Sequence, residues 1–482
     1  MATACLTVRF FASVGIDKGE FVAYNVCVPQ AEITTRQLNL QRKTGAAVVR
    51  QKKQRKREMK KFIRIASVIL CALLLSALLF ACNDNGNTDK PQLPEHDCNH
   101  TCPVCNLCVD PTCTEKDCAN KCSGHVTPTA YKISLDFVGG KVDLHTELQQ
   151  QCLDDTLYMT TSYADGSKEL SKTNELKLAW KTEAVTDNVN TVIDYTVELT
   201  TDPTFNKDVW TFSSFDNDVN VHSLKIATKY YWRVTANLDG GATETSDISV
   251  LVTAECGPRM INVDGVTNVR DLGGWQTTDG TRVKQGLLYR CGRLNKSSST
   301  TVRVEITDKG KEFMLDYLGV KSEMDLRMVS NNEVGGLTYT SPLGESVKYL
   351  PCPMDYNSSN LIIGNHEQIV RIFRYLADPS MYPMIFHCNI GTDRTGLIAF
   401  LVGGLCGVPE DTLYRDYLMS NFGNIGSSRT VFTIQDNYVY YIKESDGETL
   451  AEKTYNCLLA TGVPAEHLDA VIGIMTGVAI GA

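Results

Sequence analysis

One stretch restricts the fold more than any other. His387-Cys388-Asn389-Ile390-Gly391-Thr392-Asp393-Arg394-Thr395-Gly396 lies between two apolar runs. The run before it, Tyr382-Pro383-Met384-Ile385-Phe386, has the character of a short buried strand. The run after it, Leu397-Ile398-Ala399-Phe400-Leu401-Val402, suits a helix. Strand, tight loop, helix aims backbone N–H groups and the positive end of a helix dipole at an anion. An ordinary thiol titrates near about 8.5, and a helix N-terminus with nearby cations lowers it to roughly 3.5–7.5. Cys388 is therefore expected as a thiolate. Arg394 offers a bidentate fork to two oxygens of a tetrahedral anion, a geometry that Lys cannot match. Gly391 lets the backbone turn inward, Thr395 places a hydroxyl by the sulfur, and His387 braces the loop from behind. The peptides of Asn389, Ile390, Gly391, Thr392, Asp393, Arg394 and Thr395 would line the anion site. The bland alternative is a buried structural cysteine with a surface arginine nearby; the His, Gly and Thr-Gly flanks weigh against it.

The start of the chain is of another kind. Residues 1–58 hold 11 Lys and Arg against 4 Asp and Glu, show no convincing core pattern, and read as a non-native or disordered extension. Met59-Lys60-Lys61-Phe62-Ile63-Arg64 and the apolar run Ile65 to Ala81 then have the charged and apolar regions of an export signal. The native start is accordingly expected at Met59, with a basic tail for anionic partners as the alternative. Leu79-Phe80-Ala81-Cys82 resembles a bacterial lipobox, which implies signal cleavage after Ala81 and lipidation of Cys82. The run of about 17 apolar residues is marginal for spanning a core of about 30 Å, so an uncleaved anchor is the lesser reading. Both put the remainder outside the cytoplasmic membrane, and the first makes it a lipoprotein at a bacterial cell surface. Without residues 1–82, 33 Lys and Arg face 52 Asp and Glu, near −19. A surface so acidic repels polyphosphate backbones and excludes nucleic acid as a partner.

Residues 83–95 are polar, with two prolines, and read as a linker. A Cys-rich segment, 96–127, follows. Seven of the 18 cysteines, Cys98, Cys102, Cys105, Cys108, Cys113, Cys118 and Cys122, fall within 25 residues, flanked by His96 and His125. So short a segment needs a staple. Export favours disulfides, whereas the odd count, the His flanks and the C-x2-C steps suit structural zinc on these cysteines and His125. Both stay open.

Residues 130–255 change to period two. Leu176-x-Leu178-x-Trp180, Tyr195-x-Val197-x-Leu199 and Tyr230-x-Trp232-x-Val234-x-Ala236 alternate as half-buried antiparallel strands do. Leu224-x3-Thr228-x-Tyr230 resembles the tyrosine corner of fibronectin type III domains, which implies an all-β sandwich that binds protein or glycan. The part before about Leu170 fits poorly and is expected as an extra strand pair. Trp180 and Trp232 read as core.

From Cys256-Gly257-Pro258 a new domain, 256–482, begins. Asn268-Val269-Arg270-Asp271-Leu272-Gly273-Gly274, then Gly286-Leu287-Leu288-Tyr289-Arg290-Cys291-Gly292-Arg293, then Asp325-Leu326-Arg327 with Glu333 six residues on, precede the loop; Asp416-Tyr417-Leu418-Met419-Ser420-Asn421 follows it. Together these resemble the atypical bacterial tyrosine phosphatases of the cysteine-dependent class. The resemblance implies an α/β fold, a mostly parallel sheet flanked by helices, with the loop at a strand's C-terminal end. Apolar strands near Leu287, Met324, Val347 and Ile385, interleaved with helical stretches 307–317, 368–376 and 409–420, agree independently.

The resemblance implies an exported protein-tyrosine phosphatase, single or dual in specificity, acting on phosphotyrosine proteins or peptides through a cysteinyl-phosphate, with no cofactor for catalysis. Cys388 is the nucleophile and Arg394 the phosphate ligand. Asp325 is the first choice for general acid and Asp393 the second, each with a structural alternative: Asp325 paired with Arg327 or Arg270, Asp393 bracing the loop. His387, Asn268, Arg270 and Asp271 support the loop. Many relatives carry Lys where this chain has Thr392, which weakens a phosphoinositide or inositol phosphate reading. That reading is the runner-up, and a non-catalytic surface binding protein is the rival from another class. Cys291, Cys352, Cys406 and Cys457 read as buried thiols, Cys291 or Cys352 with the option of a protective disulfide to Cys388.

Overall fold

The computed structural model describes residues 5–13, 21–29, 131–136, 140–185, 191–295, 305–329, 333, 340–357 and 360–478. The chain divides into two compact units, Met1–Cys122 and Ser123–Ala482. In the first, β1 (Cys5–Ser13) pairs antiparallel with β2 (Phe21–Pro29), inside the stretch read as disordered. Val and Phe in both strands, with Tyr24 in the second, favour a pleated backbone. The export signal, Cys82 and the Cys-rich segment lie outside the described residues. No helix among the described residues is long and apolar enough to cross a membrane.

The second unit opens with two sheets closed on one core. One contains β3 (Tyr131–Leu135), β5 (Leu176–Ala184) and β8 (Asp218–Val221) in the order β3-β5-β8. The other contains β4 (Lys141–Val142), β6 (Val192–Thr200), β7 (Trp210–Ser214), β9 (Lys229–Leu238) and β11 (Ser249–Thr253) in the order β4-β11-β9-β6-β7, with β10 (Thr243–Thr245) also on β9. The alternating residues pack between them: Leu178, Trp180, Val197, Leu199, Tyr230, Trp232 and Val234 are all buried. At about 1.5–3 kcal/mol for each large apolar side chain, this core stabilises the sandwich substantially. The Lys225 N–H donates to the Tyr230 hydroxyl at 2.7 Å, the corner that the sequence anticipated.

Of the expected extra strand pair, β3 and β4 are present but lie in different sheets, and residues 144–174 leave the sandwich as helix α1 (Glu147–Asp154) and a strap. Thr146 and Gln149 form a reciprocal capping box that starts α1. The strap docks on the following domain by backbone bonds: Gly166 N–H to Asn421 O, 2.8 Å, and Leu170 N–H to Phe422 O, 2.6 Å. Cys152 and Ala164 share a small core with Met260, Met419 and Phe422. The poor fit to period two follows because Cys152 and Ala164 bury against another domain, not across a sheet.

The α/β domain has one six-stranded sheet, β12 (Arg259–Met260), β13 (Arg270–Asp271), β14 (Leu288–Cys291), β15 (Ser322–Asp325), β16 (Lys348–Pro351) and β17 (Met384–His387), ordered β12-β13-β14-β17-β15-β16. The four strands β14, β17, β15 and β16 are parallel, and β12 and β13 form an antiparallel edge. Helices α2 (Asp308–Glu312), α3 (His366–Leu376), α4 (Asp393–Leu405), α5 (Glu410–Leu418), α6 (Leu450–Thr461) and α7 (Ala465–Thr476) surround it. In α3 the buried residues Ile369, Ile372, Phe373 and Leu376 recur at helical spacing and make one apolar stripe. By contrast, α4 is buried nearly all round. It runs through the domain core, so its N-terminus is held as rigidly as the sheet.

Candidate active site

β14, β15 and β17 end side by side: Cys291 and Asp325 both pair in register with His387. The next residue is Cys388, and the chain crosses the sheet edge to enter α4 at Asp393. Gly391 has φ +72°, and a Cβ there would lie 2.3 Å from the Cys291 carbonyl oxygen, so only glycine fits.

The carbonyls of the loop are held on its outer side. Asn268 Nδ2 donates to Gly391 O at 3.0 Å and to Ile390 O at 3.3 Å. Arg290 Nη2 donates to Gly391 O at 2.8 Å, and Arg293 Nη1 to Asn389 O at 3.2 Å. In a trans peptide the C=O and N–H point oppositely. Fixing these three carbonyls outward turns the N–H groups of Ile390, Gly391 and Thr392 inward, which makes an anion-binding concavity.

Beneath that layer sits Asp416. Its carboxylate accepts from Arg270 Nε at 2.8 Å and Arg290 Nη1 at 2.7 Å. Burial would raise its pKa, but the two guanidiniums hold the carboxyl below the usual range. Arg270 also donates to Asn268 Oδ1, which orients the Asn268 amide at the loop. The Asn268 N–H donates to Ser171 Oγ of the strap at 3.2 Å, so the strap reaches the loop's support. Of the predicted supports, Asn268 and Arg270 thus stand under the loop. Asp271 does not. It accepts from Arg259, Gly273 and Gly286, and Arg259 donates to Ser223 O of the sandwich at 2.8 Å. Asp271 secures the junction of the two domains.

Cys388 is 2% exposed. Burial pushes its thiol up, but the Arg394 charge and the Thr395 hydroxyl and amide outweigh it and hold the thiol below its ordinary value. The Thr395 hydroxyl, itself buried, has no conventional hydrogen-bond partner. His387 donates from Nδ1 to the Cys388 carbonyl, 3.0 Å, and faces Glu323 Oε1 from Nε2, 2.8 Å. Burial disfavours the imidazolium, but Asp325 and Glu323 overcome that and raise its pKa.

Arg394 is clamped by Glu333, Nη1 to Oε2 at 2.8 Å and Nη2 to Oε1 at 2.9 Å, and Nη1 also reaches the carbonyls of Leu326 and Met354. The clamp occupies both Nη groups from one side and sets the plane of the guanidinium. Thr392 is buried, and its hydroxyl turns back to Ile390 O at 3.4 Å, so it adds neither charge nor reach.

Asp325 takes the structural alternative, the pairing with Arg327. Its carboxylate accepts from Arg327 Nε at 2.9 Å, Arg327 Nη2 at 2.6 Å, the Arg327 N–H at 3.0 Å and Tyr349 Oη at 2.9 Å. Burial raises its pKa, yet His387 and Arg327 outweigh that and hold the carboxyl below its ordinary value. Asp393 is also engaged, by Arg429 Nε and Nη2 at 2.9 Å each and by the Tyr417 hydroxyl at 3.1 Å. Because the folded pKa of Asp325 is depressed, its stabilisation is present above the unfolded value of about 3.9 and lost as pH falls through the folded value. Asp325→Asn is therefore expected to lower the melting temperature at pH 7 and to lose that difference in acid. A calorimetric pH series checks this; an unchanged melting temperature at pH 7 would count against the pairing.

A third carboxylate escaped the sequence reading. Asp355 follows β16 and lies between Met354, whose carbonyl accepts from Arg394 Nη1 at 3.1 Å, and Tyr356, whose ring centroid is 5.2 Å from the Arg394 guanidinium. It is half-buried, its Oδ1 accepts from Asn357, and no cation pairs with it among the described residues. Nothing local marks it, since Pro353-Met354-Asp355 is an unremarkable loop sequence. Glu333 was visible as an acid six residues past Arg327, but its partner is 61 residues away.

Cys291, Cys352 and Cys388 are all free thiols. Burial pushes the Cys352 thiol up to about 12 and the Cys291 thiol well above its ordinary value.

Residues 261–473 match the sequence profile of the tyrosine phosphatase family. A Cupriavidus necator protein, provisionally named as a tyrosine-protein phosphatase, is 27% identical over 180 residues; the match covers 35% of this chain and 65% of that protein's length. Two structures of the catalytic core of Siw14 align at 17% and 13% identity with TM-scores of 0.21 and 0.24. They cover 30% and 36% of this chain, and 74% and 83% of theirs; the first is described as the PP-IP phosphatase of S. cerevisiae. The sixth fibronectin type III domain of a human protein aligns over 26% of this chain and 98% of its own, at 15% identity and a TM-score of 0.16. Scores this low establish no kinship. Residues 261–473, a little under half of the chain, thus resemble the tyrosine phosphatase family in profile and carry its loop intact.

Proposed function

We propose that this chain is a phosphoric monoester hydrolase that cleaves phosphotyrosine in proteins or peptides. The observation that carries the reading is the buried Cys388 thiol, held below its ordinary value beside an Arg394 whose fork is fixed by Glu333. The Cys388 thiolate attacks phosphorus, and the bond from phosphorus to the phenol oxygen breaks. Asp355 delivers its proton to that oxygen. Water then attacks the cysteinyl-phosphate, the P–S bond breaks, and Asp355 takes the proton. Arg394 and the inward N–H groups hold the phosphoryl oxygens through both steps.

Leaving-group dependence tests the acid. Asp355→Asn is expected to slow turnover by about 10²–10⁴-fold on a phenol leaving group and far less on an activated one. The same signature in Asp325→Asn or Asp393→Asn, with none in Asp355→Asn, would place the acid elsewhere.

The substrate is tested with the purified full chain, reduced and with chelator, on a phosphotyrosine peptide, a phosphoserine peptide and phosphoinositides. Preference for the first supports the proposal, and preference for the lipids moves the enzyme to the runner-up class. The proposal also places the enzyme at a bacterial cell surface, lipid-anchored at Cys82; the basic start and apolar run of the signal support this. The strand order of the sandwich and the Tyr230 corner support a fibronectin type III-like module that holds the enzyme or binds a partner.

A further inference from the structure

A second constellation stands where the sandwich meets the phosphatase domain. β4 and β11 run parallel in one sheet, with Val252 opposite Lys141 and Thr253 opposite Val142. The chain therefore leaves both strands at the same edge, and the pairing extends one bond further, from Ala254 N–H to Val142 O at 2.8 Å. The next residues out are Asp143 and His145 on one segment and Cys256 on the other.

Their donor atoms form a small triangle. His145 Nδ1 is 3.2 Å from Cys256 Sγ, Cys256 Sγ is 3.3 Å from Asp143 Oδ1, and His145 Nδ1 is 3.5 Å from Asp143 Oδ1. His145 is 3% exposed, and its Nε2 lies 2.8 Å from Pro258 O. A carbonyl only accepts, so Nε2 carries a proton, and in the neutral ring Nδ1 then turns its lone pair to the middle of the triangle. This is the tautomer that a metal-bound histidine keeps when a carbonyl orients it from behind.

Asp143 Oδ1 also accepts from the His145 backbone N–H at 2.9 Å, so the single S–H proton of Cys256 is left for Nδ1, and the three donor atoms face one another across a gap the size of an ion. A tetrahedral ion bonded at about 2.3 Å to sulfur and about 2.0–2.2 Å to nitrogen and oxygen sets such donors about 3.3–3.6 Å apart. The observed sides differ from that by a few tenths of an ångström.

We propose that Asp143, His145 and Cys256 bind a divalent cation of the zinc class, with a fourth position open to water. Binding displaces the thiol proton: Cys256–SH and M²⁺ give the thiolate–metal bond and H⁺. The ion ties the exit of the sandwich sheet to the cis Gly257-Pro258 step that leads into β12. It belongs to the junction and takes no part in the chemistry of Cys388.

The test is zinc titration of the reduced full chain after chelation, beside Cys256→Ser and the double variant His145→Gln with Cys256→Ser. Because zinc at the cysteines of 98–122 is one of the two open readings of that segment, the readout is the difference between proteins. The double variant is expected to bind about one equivalent fewer, and zinc to raise the thermal midpoint of the parent more than that of the variant. Cobalt in place of zinc should lose one thiolate charge-transfer contribution in Cys256→Ser. Should those variants not fold, Asp143→Asn changes a half-exposed side chain and is expected to weaken the same equivalent. Equal zinc stoichiometry and affinity in parent and variants would overturn the site and leave a hydrogen-bonded trio.

Discussion

Cys388→Ser is expected to reduce phosphate release by at least about 10⁵-fold, about 7 kcal/mol of transition-state free energy at 1.36 kcal/mol per decade. The serine hydroxyl stays protonated where the thiol ionises, and the environment that lowers the Cys388 thiol cannot bring an alcohol into range. Arg394, its Glu333 clamp and the inward amides are untouched, so the variant should still bind a phosphotyrosine peptide. Phosphate assays with parallel calorimetric binding measure both. Turnover surviving the substitution would end the cysteinyl-phosphate mechanism; binding lost with turnover would show the thiolate itself positions substrate. In the parent, the thiolate form persists below the ordinary thiol range, so kcat/KM should hold its value as pH falls until Cys388 takes up its proton.

Arg394→Lys carries the second largest effect. A single ammonium cannot fork two phosphoryl oxygens, and losing that stabilisation costs about 10²–10³-fold in kcat. Arg394 is also the largest charge lowering the Cys388 thiol. The acid limb of kcat/KM should therefore move to higher pH in the variant, a shift that a purely structural arginine would not produce. Arg394→Ala leaves the Glu333 carboxylate unpaired against a buried site, and an uncompensated buried charge costs about 3–5 kcal/mol of stability. Stopped assays across pH and thermal melts of the two variants separate the roles. A raised KM with unchanged kcat and an unmoved acid limb would reduce Arg394 to a ground-state contact.

The strands β14, β15, β16 and β17 and the helices after them were legible because each is a local hydrophobic pattern with its own turn signals. The loop was legible for the same reason: nucleophile, phosphate ligand and turn glycine are contiguous. The proposed general acid was not. Asp325 looked suitable as the end of a strand in a motif, but Arg327, two residues on, takes its charge. Asp393 looked suitable because it lies in the loop, but Arg429 reaches it from 36 residues away. Asp355 has nothing in its sequence neighbourhood to recommend it. The strap at 144–174 fitted period two poorly because Cys152 and Ala164 answer to Met260, Met419 and Phe422, which no window of sequence contains.

By itself the sequence determined the chemistry of the site, because a thiol, an arginine six residues on and a glycine between them can cradle one kind of anion in one backbone turn. Tertiary structure alone decided which charges are spent and which are free. Asp416 lies 146 residues from Arg270 and 126 from Arg290, and Glu333 61 from Arg394. Such pairings depend on where folding brings chain segments together, and an ion pair in a buried site silences a carboxylate that the sequence presents as available.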